Sequence, residues 1–187
     1  MKMCVPTFGV LLLVIASGLA PLAGQDKEKP AEAPKEETVE AYDSKSNGAI
    51  QVKVEKKNST HSFDVLQDGK RVFKGAPKLL NTTLELSPGD YVVDVNMTQR
   101  KITIVAGKKA ILLTGELVVE GQPSTIAWYA MEGKVKLTSS GVEPLLNQPI
   151  PLFAGTYTVF VDTSLTGQDK SLGKAEVKAG RMTVLKH

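Results

Sequence analysis

The sequence predicts an all-β fold: two tandem small β-sandwich domains after a signal peptide and a disordered charged linker. Three observations predict it. From Ile50 onward apolar and polar residues alternate, and no stretch up to His187 keeps a 3.6-residue period. Turn residues punctuate that alternation at short spacing among many β-branched side chains. The stretch Leu86-Ser87-Pro88-Gly89-Asp90-Tyr91-Val92-Val93-Asp94-Val95 returns 66 residues later as Leu152-Phe153-Ala154-Gly155-Thr156-Tyr157-Thr158-Val159-Phe160-Val161.

Residues 1–24 read as a secretory signal. Lys2 is followed by the apolar run Phe8–Ala16 and by small residues at Ser17, Gly18, Ala20, Ala23 and Gly24. The run is short for a membrane span; an uncleaved N-terminal anchor is the competing reading. The single cysteine, Cys4, precedes the apolar core, so a lipid anchor on a cysteine just after that core is excluded, and the mature chain carries no disulfide. A cysteine-free exported protein fits a bacterial envelope. Residues 25–48 are rich in Lys, Glu, Ala and Pro with few apolar anchors, the composition of a disordered linker. Thr38–Tyr42 is the one stretch there able to dock, with a short helix as one form.

The first sandwich is assigned to 49–115. Ile50, Val52 and Val54 mark a half-buried strand, and Phe63 and Val65 a second. Asp68-Gly69 is a favoured hairpin turn leading to Val72 and Phe73. Thr82–Leu86 runs into Pro88-Gly89, read as a type II turn with glycine at positive φ. Tyr91, Val93 and Val95 share one face, and Lys101–Val105 and Lys108–Thr114 complete the unit.

The second sandwich, 116–187, repeats the first. Val52-Lys53-Val54-Glu55 is aligned with Leu117-Val118-Val119-Glu120, Phe63 with Trp128, and Gly69-Lys70 with Gly133-Lys134. Leu79-Leu80-Asn81 recurs letter for letter as Leu145-Leu146-Asn147. Extra residues fall in the polar loop Thr163–Ser171, where insertions are tolerated. The short passage from Gly115 to Val119 favours a fixed orientation of the two units. The last strand, Arg181–Leu185, is expected to offer an edge to a partner strand.

Asp68-Gly69, Ala76-Pro77, Leu84, Leu86, Pro88-Gly89, Tyr91, Val93 and Val95 together resemble the small PEGA-type β-domains of bacterial envelope proteins. The second unit keeps Gly133, Leu152, Gly155, Tyr157, Val159 and Val161, with Ala154 in place of Pro88. An immunoglobulin-like sandwich describes the pattern equally well. The resemblance implies accessory surface modules without an active site.

Chemistry-bearing patterns are sparse. His61 and His187 are the only histidines. No zinc-ligand set, nucleophile elbow, phosphate loop or dinucleotide fingerprint is present. Metal sites and cofactors are therefore expected to be none, and the protein is read as not an enzyme. A shared cleft gathering His61 with acids from both units would reverse that reading. The basic residues are scattered rather than clustered on a helix, so nucleic acid is not an expected partner. Asn58-Ser59-Thr60, Asn81-Thr82-Thr83 and Asn96-Met97-Thr98 are N-glycan acceptor triplets, relevant only in a eukaryotic host.

The expected role is a non-enzymatic structural or protein-interaction module of the bacterial cell envelope, periplasmic, extracellular or surface-associated. The alternative is a carbohydrate-binding module. In that case Tyr129, predicted to point outward from its strand, and Thr163, Gly167 and Ser171 of the longer loop form the groove. Expected partners are an envelope protein or a cell-surface polysaccharide, with no integral membrane domain after signal cleavage.

Overall fold

The computed structural model describes residues 35–55, 59–138, 142–162 and 169–187. The chain divides into two units, Met1–Ala31 and Glu32–His187, and all the described strands lie in the second. The signal segment 1–24, the first part of the linker, and Thr163 and Gly167 lie outside the described residues.

Every regular element among the described residues is a strand. The first half contains β1 (Glu37–Ala41), β2 (Gly48–Lys53), β3 (Ser62–Gln67), β4 (Lys70–Arg71), β5 (Lys78–Leu79), β6 (Thr83–Leu86), β7 (Gly89–Val95), β8 (Thr98–Ile104) and β9 (Lys108–Leu113). The second contains β10 (Gly115–Glu120), β11 (Trp128–Glu132), β12 (Val135–Leu137), β13 (Ile150–Leu152), β14 (Gly155–Val161), β15 (Lys170–Val177) and β16 (Met182–Lys186).

The sheet order β1-β9-β2-β6 stands with β4-β3-β7-β8, where β5 also pairs with β3. Both sheets feed one core, built from Ile50, Val52, Phe63, Val65, Tyr91, Val93, Val95, Ile102, Ile104 and Leu112. The orders β13-β10-β16 and β12-β11-β14-β15 surround a second core of Leu117, Val119, Trp128, Leu137, Leu146, Ile150, Tyr157, Val159 and Val161. Apart from Leu146, which lies in a turn, these are alternating residues of the strands, and the result is a β-sandwich-like all-β fold.

The two halves repeat each other in register. β2 runs parallel to β9 and β10 parallel to β16, each inside an otherwise antiparallel arrangement. Gly48 faces Leu86 as Gly115 faces Leu152. Both glycines are required by space. A Cβ on Gly48 would lie 2.4 Å from the Val105 carbonyl oxygen, and one on Gly115 2.3 Å from that of Lys178. The Leu-Leu-Asn echo has a backbone cause: Asn81 and Asn147 both sit at φ 68°. Their N–H groups donate to the Val52 and Val119 carbonyls, each at 2.7 Å. Their side-chain oxygens accept from Val54 N–H at 3.1 Å and Gly121 N–H at 3.2 Å. Asparagine tolerates the left-handed region and caps the strand end at once.

Several expectations are corrected. Residues 37–41, placed in a disordered linker, form β1, antiparallel to β9 from Glu37 opposite Leu112 to Ala41 opposite Lys108. Composition misses this strand because its five residues are all exposed. What holds them is the backbone ladder, with Glu40–Lys109 at 3.0 Å and the neighbouring Glu36–Arg100 at 2.8 Å. The repeat alignment at the first strand is displaced by two residues: Ile50 and Val52, not Val52 and Val54, occupy the places of Leu117 and Val119. At the hairpin, Asp68-Gly69 (φ 52° and 74°) corresponds to Gly133-Lys134, where Gly133 alone has positive φ, at 60°. The turns are of type I′ and type II′ respectively. Gly89 has φ 155°, far from the value near 80° of a type II turn.

The two halves are joined without slack. Thr114 alone separates β9 from β10. Its N–H donates to the Lys53 carbonyl at 2.9 Å, and its carbonyl accepts from Gly180 N–H at 3.0 Å. Phe153, from the second half, is fully buried in the first core. Around it, Asn96 Nδ2 donates to the Pro151 carbonyl at 2.9 Å and Phe153 N–H to Thr98 Oγ1 at 3.3 Å.

Candidate binding surfaces

Tyr129 does face away from the second core, because it alternates with Trp128 and Ala130, which line that core. It is nevertheless covered, at 7% exposure. Directly across the ladder stands Phe160, stacked with it at 5.1 Å between ring centres and 14° between planes. The Lys136 ammonium lies 3.8 Å from the Tyr129 ring centre and is itself ion-paired with Glu143. The Tyr129 hydroxyl donates to Asp169 Oδ2 at 2.6 Å. Burial first, then that bond to a carboxylate and the nearby negative charges, pushes the phenol pKa up to about 12. The expectation of an open stacking platform is thereby corrected. Ser171 is exposed on β15.

The same lattice position in the first half carries different chemistry. There Asp64 faces Asp94 across β3 and β7, where the second half has Tyr129 facing Phe160. Two carboxylates directly opposite repel. Arg71, in the place of Lys136, offsets this by donating from Nη2 to Asp64 Oδ2 at 2.7 Å, with Nε in ion-pair contact with Oδ1 at 2.7 Å. Asp94 accepts from Met97 N–H and Gln99 Nε2, both at 2.9 Å. The repeat alignment matches Asp64 with Tyr129 and Asp94 with Phe160, so the exchange of an aromatic pair for a carboxylate pair is legible in the sequence. A polar crevice of about 330 Å³ opens beside them, with Pro77, Asn96, Met97 and Thr138 on its walls.

Where the halves meet, a cleft of about 440 Å³ brings Ser59, Thr60 and His61 of the first half against Glu116, Glu143, Gln148 and Pro149 of the second. It therefore gathers His61 with acids, but both acids come from the second half. Glu116 is buried at 7% exposure on β10, and Glu143 is engaged by Lys136. Among the described residues no group of three or more His, Cys, Asp or Glu side chains is arranged to hold a metal ion. No described helix is long and apolar enough to cross a membrane.

The conspicuous tyrosines of the repeat serve the backbone. Tyr91 donates to the Ser87 carbonyl at 2.8 Å and Tyr157 to the Phe153 carbonyl at 2.6 Å, each four residues upstream. Burial, the leading cause, raises the Tyr157 pKa strongly. A Cβ on Gly155 would come within 3.0 Å of the Tyr157 hydroxyl, whereas at Gly89 the Tyr91 hydroxyl would be 3.8 Å away and it is the backbone, at φ 155°, that favours glycine.

Comparison with family models, with curated proteins and with solved structures gives no match to this chain.

Proposed function

We propose that the protein is a non-enzymatic structural or protein-interaction module of a bacterial cell envelope, exported by residues 1–24 and built as two tandem sandwich repeats. The observation that carries the reading is the use to which the repeated residues are put. Asn81 and Asn147 cap strand ends, Tyr91 and Tyr157 tie down the turns before β7 and β14, and Gly48 and Gly115 admit a close backbone. What the duplication preserves is framework, and where Asp64 and Asp94 stand in place of Tyr129 and Phe160 each side chain is engaged by neighbours in its own half. A rigid, duplicated framework with a charged N-terminal approach suits a protein that holds others in place.

Photocrosslinking in the native cell tests it. A crosslinker at exposed positions such as Val184 or Val135 is expected to trap a protein in the envelope fraction. Recovery in the cytosol, with no protein adduct from any exposed position, overturns it.

A further inference from the structure

Among the described residues, one strand of the first half has no counterpart in the second. β5 does have one, since the bridge between Ala127 and Leu145 stands where Ser62 faces Leu79. β1 has none. β9 is flanked by β2 and β1, whereas β16, its equivalent, pairs with β10 alone among the described residues. The equivalence is residue for residue. Ala49 faces Lys109 as Glu116 faces Met182, so Ile111 corresponds to Val184 and Leu113 to Lys186.

The backbone of that edge is oriented for pairing. Glu116 N–H donates to the Arg181 carbonyl at 2.9 Å and His187 N–H to the Glu120 carbonyl at 2.8 Å. The ladder therefore turns the odd-numbered groups of β16 toward β10, and those of Met182, Val184 and Lys186 outward. On β9 the same outward positions are filled: Leu113 N–H donates to the Glu36 carbonyl at 2.7 Å, and the Gly107 carbonyl accepts from Tyr42 N–H at 2.9 Å. The side chains at these positions differ in exposure as well. Ile111 is 3% exposed, whereas Val184 is 44% and Met182 53% exposed.

We propose that the open edge of β16 receives an extended acidic segment of a partner protein, added antiparallel as β1 is added to β9. The register assigns its chemistry: an acid opposite Lys186, a β-branched residue opposite Val184 and an apolar residue opposite Met182. The matching residues against β9 are Glu36, just before β1, and Thr38 and Glu40 within it, so the site differs from β9 in wanting an apolar group at the last place. Charge selects the occupant. From Arg181 to His187 the strand has Arg181 and Lys186 and no acid. A second copy of β16, paired antiparallel about Val184, would bring Arg181 and Lys186 of each strand against the basic end of the other. The β1 of a second copy is already committed to its own β9.

This inference rests on the interaction-module reading and names its site. The test titrates the isotope-labelled full chain with two capped peptides by NMR, one with the sequence of residues 36–42 and one with Glu40→Leu in it. At β16 the leucine peptide is expected to bind about tenfold more tightly, shifting the amides of Met182, Val184 and Lys186. At β9 the order would reverse, because Glu40 is the partner of Lys109 there. Val184→Pro removes an outward N–H and no bond to β10, so it is expected to abolish binding while core amides such as Val159 stay in place. Lys186→Glu is expected to weaken binding several-fold. Shifts confined to β9 and its neighbours, equal binding by Val184→Pro, or shifts at β16 that appear on concentrating the protein without peptide each overturn the proposal, the last by giving the edge to a second copy. If the peptides leave β16 untouched while crosslinking still traps envelope proteins elsewhere on the surface, this inference falls and the module reading stands.

Discussion

The Arg100 guanidinium lies 5.2 Å from the centre of the Phe153 ring, and the two residues come from opposite halves of the sequence. Arg100 also donates to the Ala154 carbonyl and pairs with Glu36 at 2.8 Å. One side chain thus ties the approach to β1, strand β8 and the turn before β14 together. Phe153 itself completes a core to which its own neighbours in sequence do not belong.

Phe153→Ala is expected to cost about 3 to 5 kcal/mol, the range for emptying a fully buried phenylalanine site. It should also uncouple the halves. Urea unfolding followed at Trp128, which sits in the second core, and by far-ultraviolet circular dichroism should coincide in the parent and separate in the variant. Coincident transitions at unchanged midpoint would show that the ring does not join the cores.

Asn147 clasps Gly121 from both sides, accepting from its N–H at 3.2 Å and donating to its carbonyl at 3.0 Å. Asn147→Ala loses the clasp and strains the left-handed backbone, for an expected loss of about 2 to 3 kcal/mol. Asn147→Gly loses only the clasp and should fall between parent and alanine variant. The same order is expected at Asn81. Equal stabilities of the alanine and glycine variants would remove the backbone part of the argument.

Met97 occupies the second place of the tight turn after Asn96, at φ 69°, with nearly half its surface exposed. A side chain there opposes the torsion that the turn demands. Met97→Gly is expected to raise stability by about 0.5 to 1 kcal/mol, read as a higher denaturation midpoint. A loss would mean that the methionine side chain contributes more by contact than it costs in strain.

The tyrosines give a pH signature. Tyr129 holds its proton to about 12 in the fold, against 10.0 for the ordinary phenol. Its contribution to stability is complete below the unfolded value and disappears as pH rises through the folded one, so stability should decline between about pH 10 and 12. Absorbance at 295 nm should show a late phenolate step in the folded chain that is missing from Tyr129→Phe. Ionisation of Tyr129 near pH 10 without unfolding would contradict the covered site.

Alternation and turn residues made the strands readable, and the duplication made their order readable. The register of the first strand was not, for a specific reason. A slip of two residues leaves Ile50, Val52 and Val54 on the same face, so hydrophobic pattern is blind to it, and only the partners of Gly48 and Gly115 decide. β1 escaped because backbone pairing and two ion pairs leave no apolar trace. Tyr129 was placed on the correct face with the wrong exposure, since alternation gives direction, while cover depends on Phe160, Lys136 and Asp169 from elsewhere in the chain. The meeting of His61 with Glu116 and Glu143 is likewise a product of how the halves sit together.

The single residue Thr114 between β9 and β10, bonded on both sides, has a mechanical consequence. A flexible joint would let attachments on the two halves explore a range of separations. Here a displacement imposed on one half must be carried by the other. Whatever is held at the β1 end and whatever is held at β16 would keep one spacing and one angle, so the protein would act as a spacer of set length rather than as a tether.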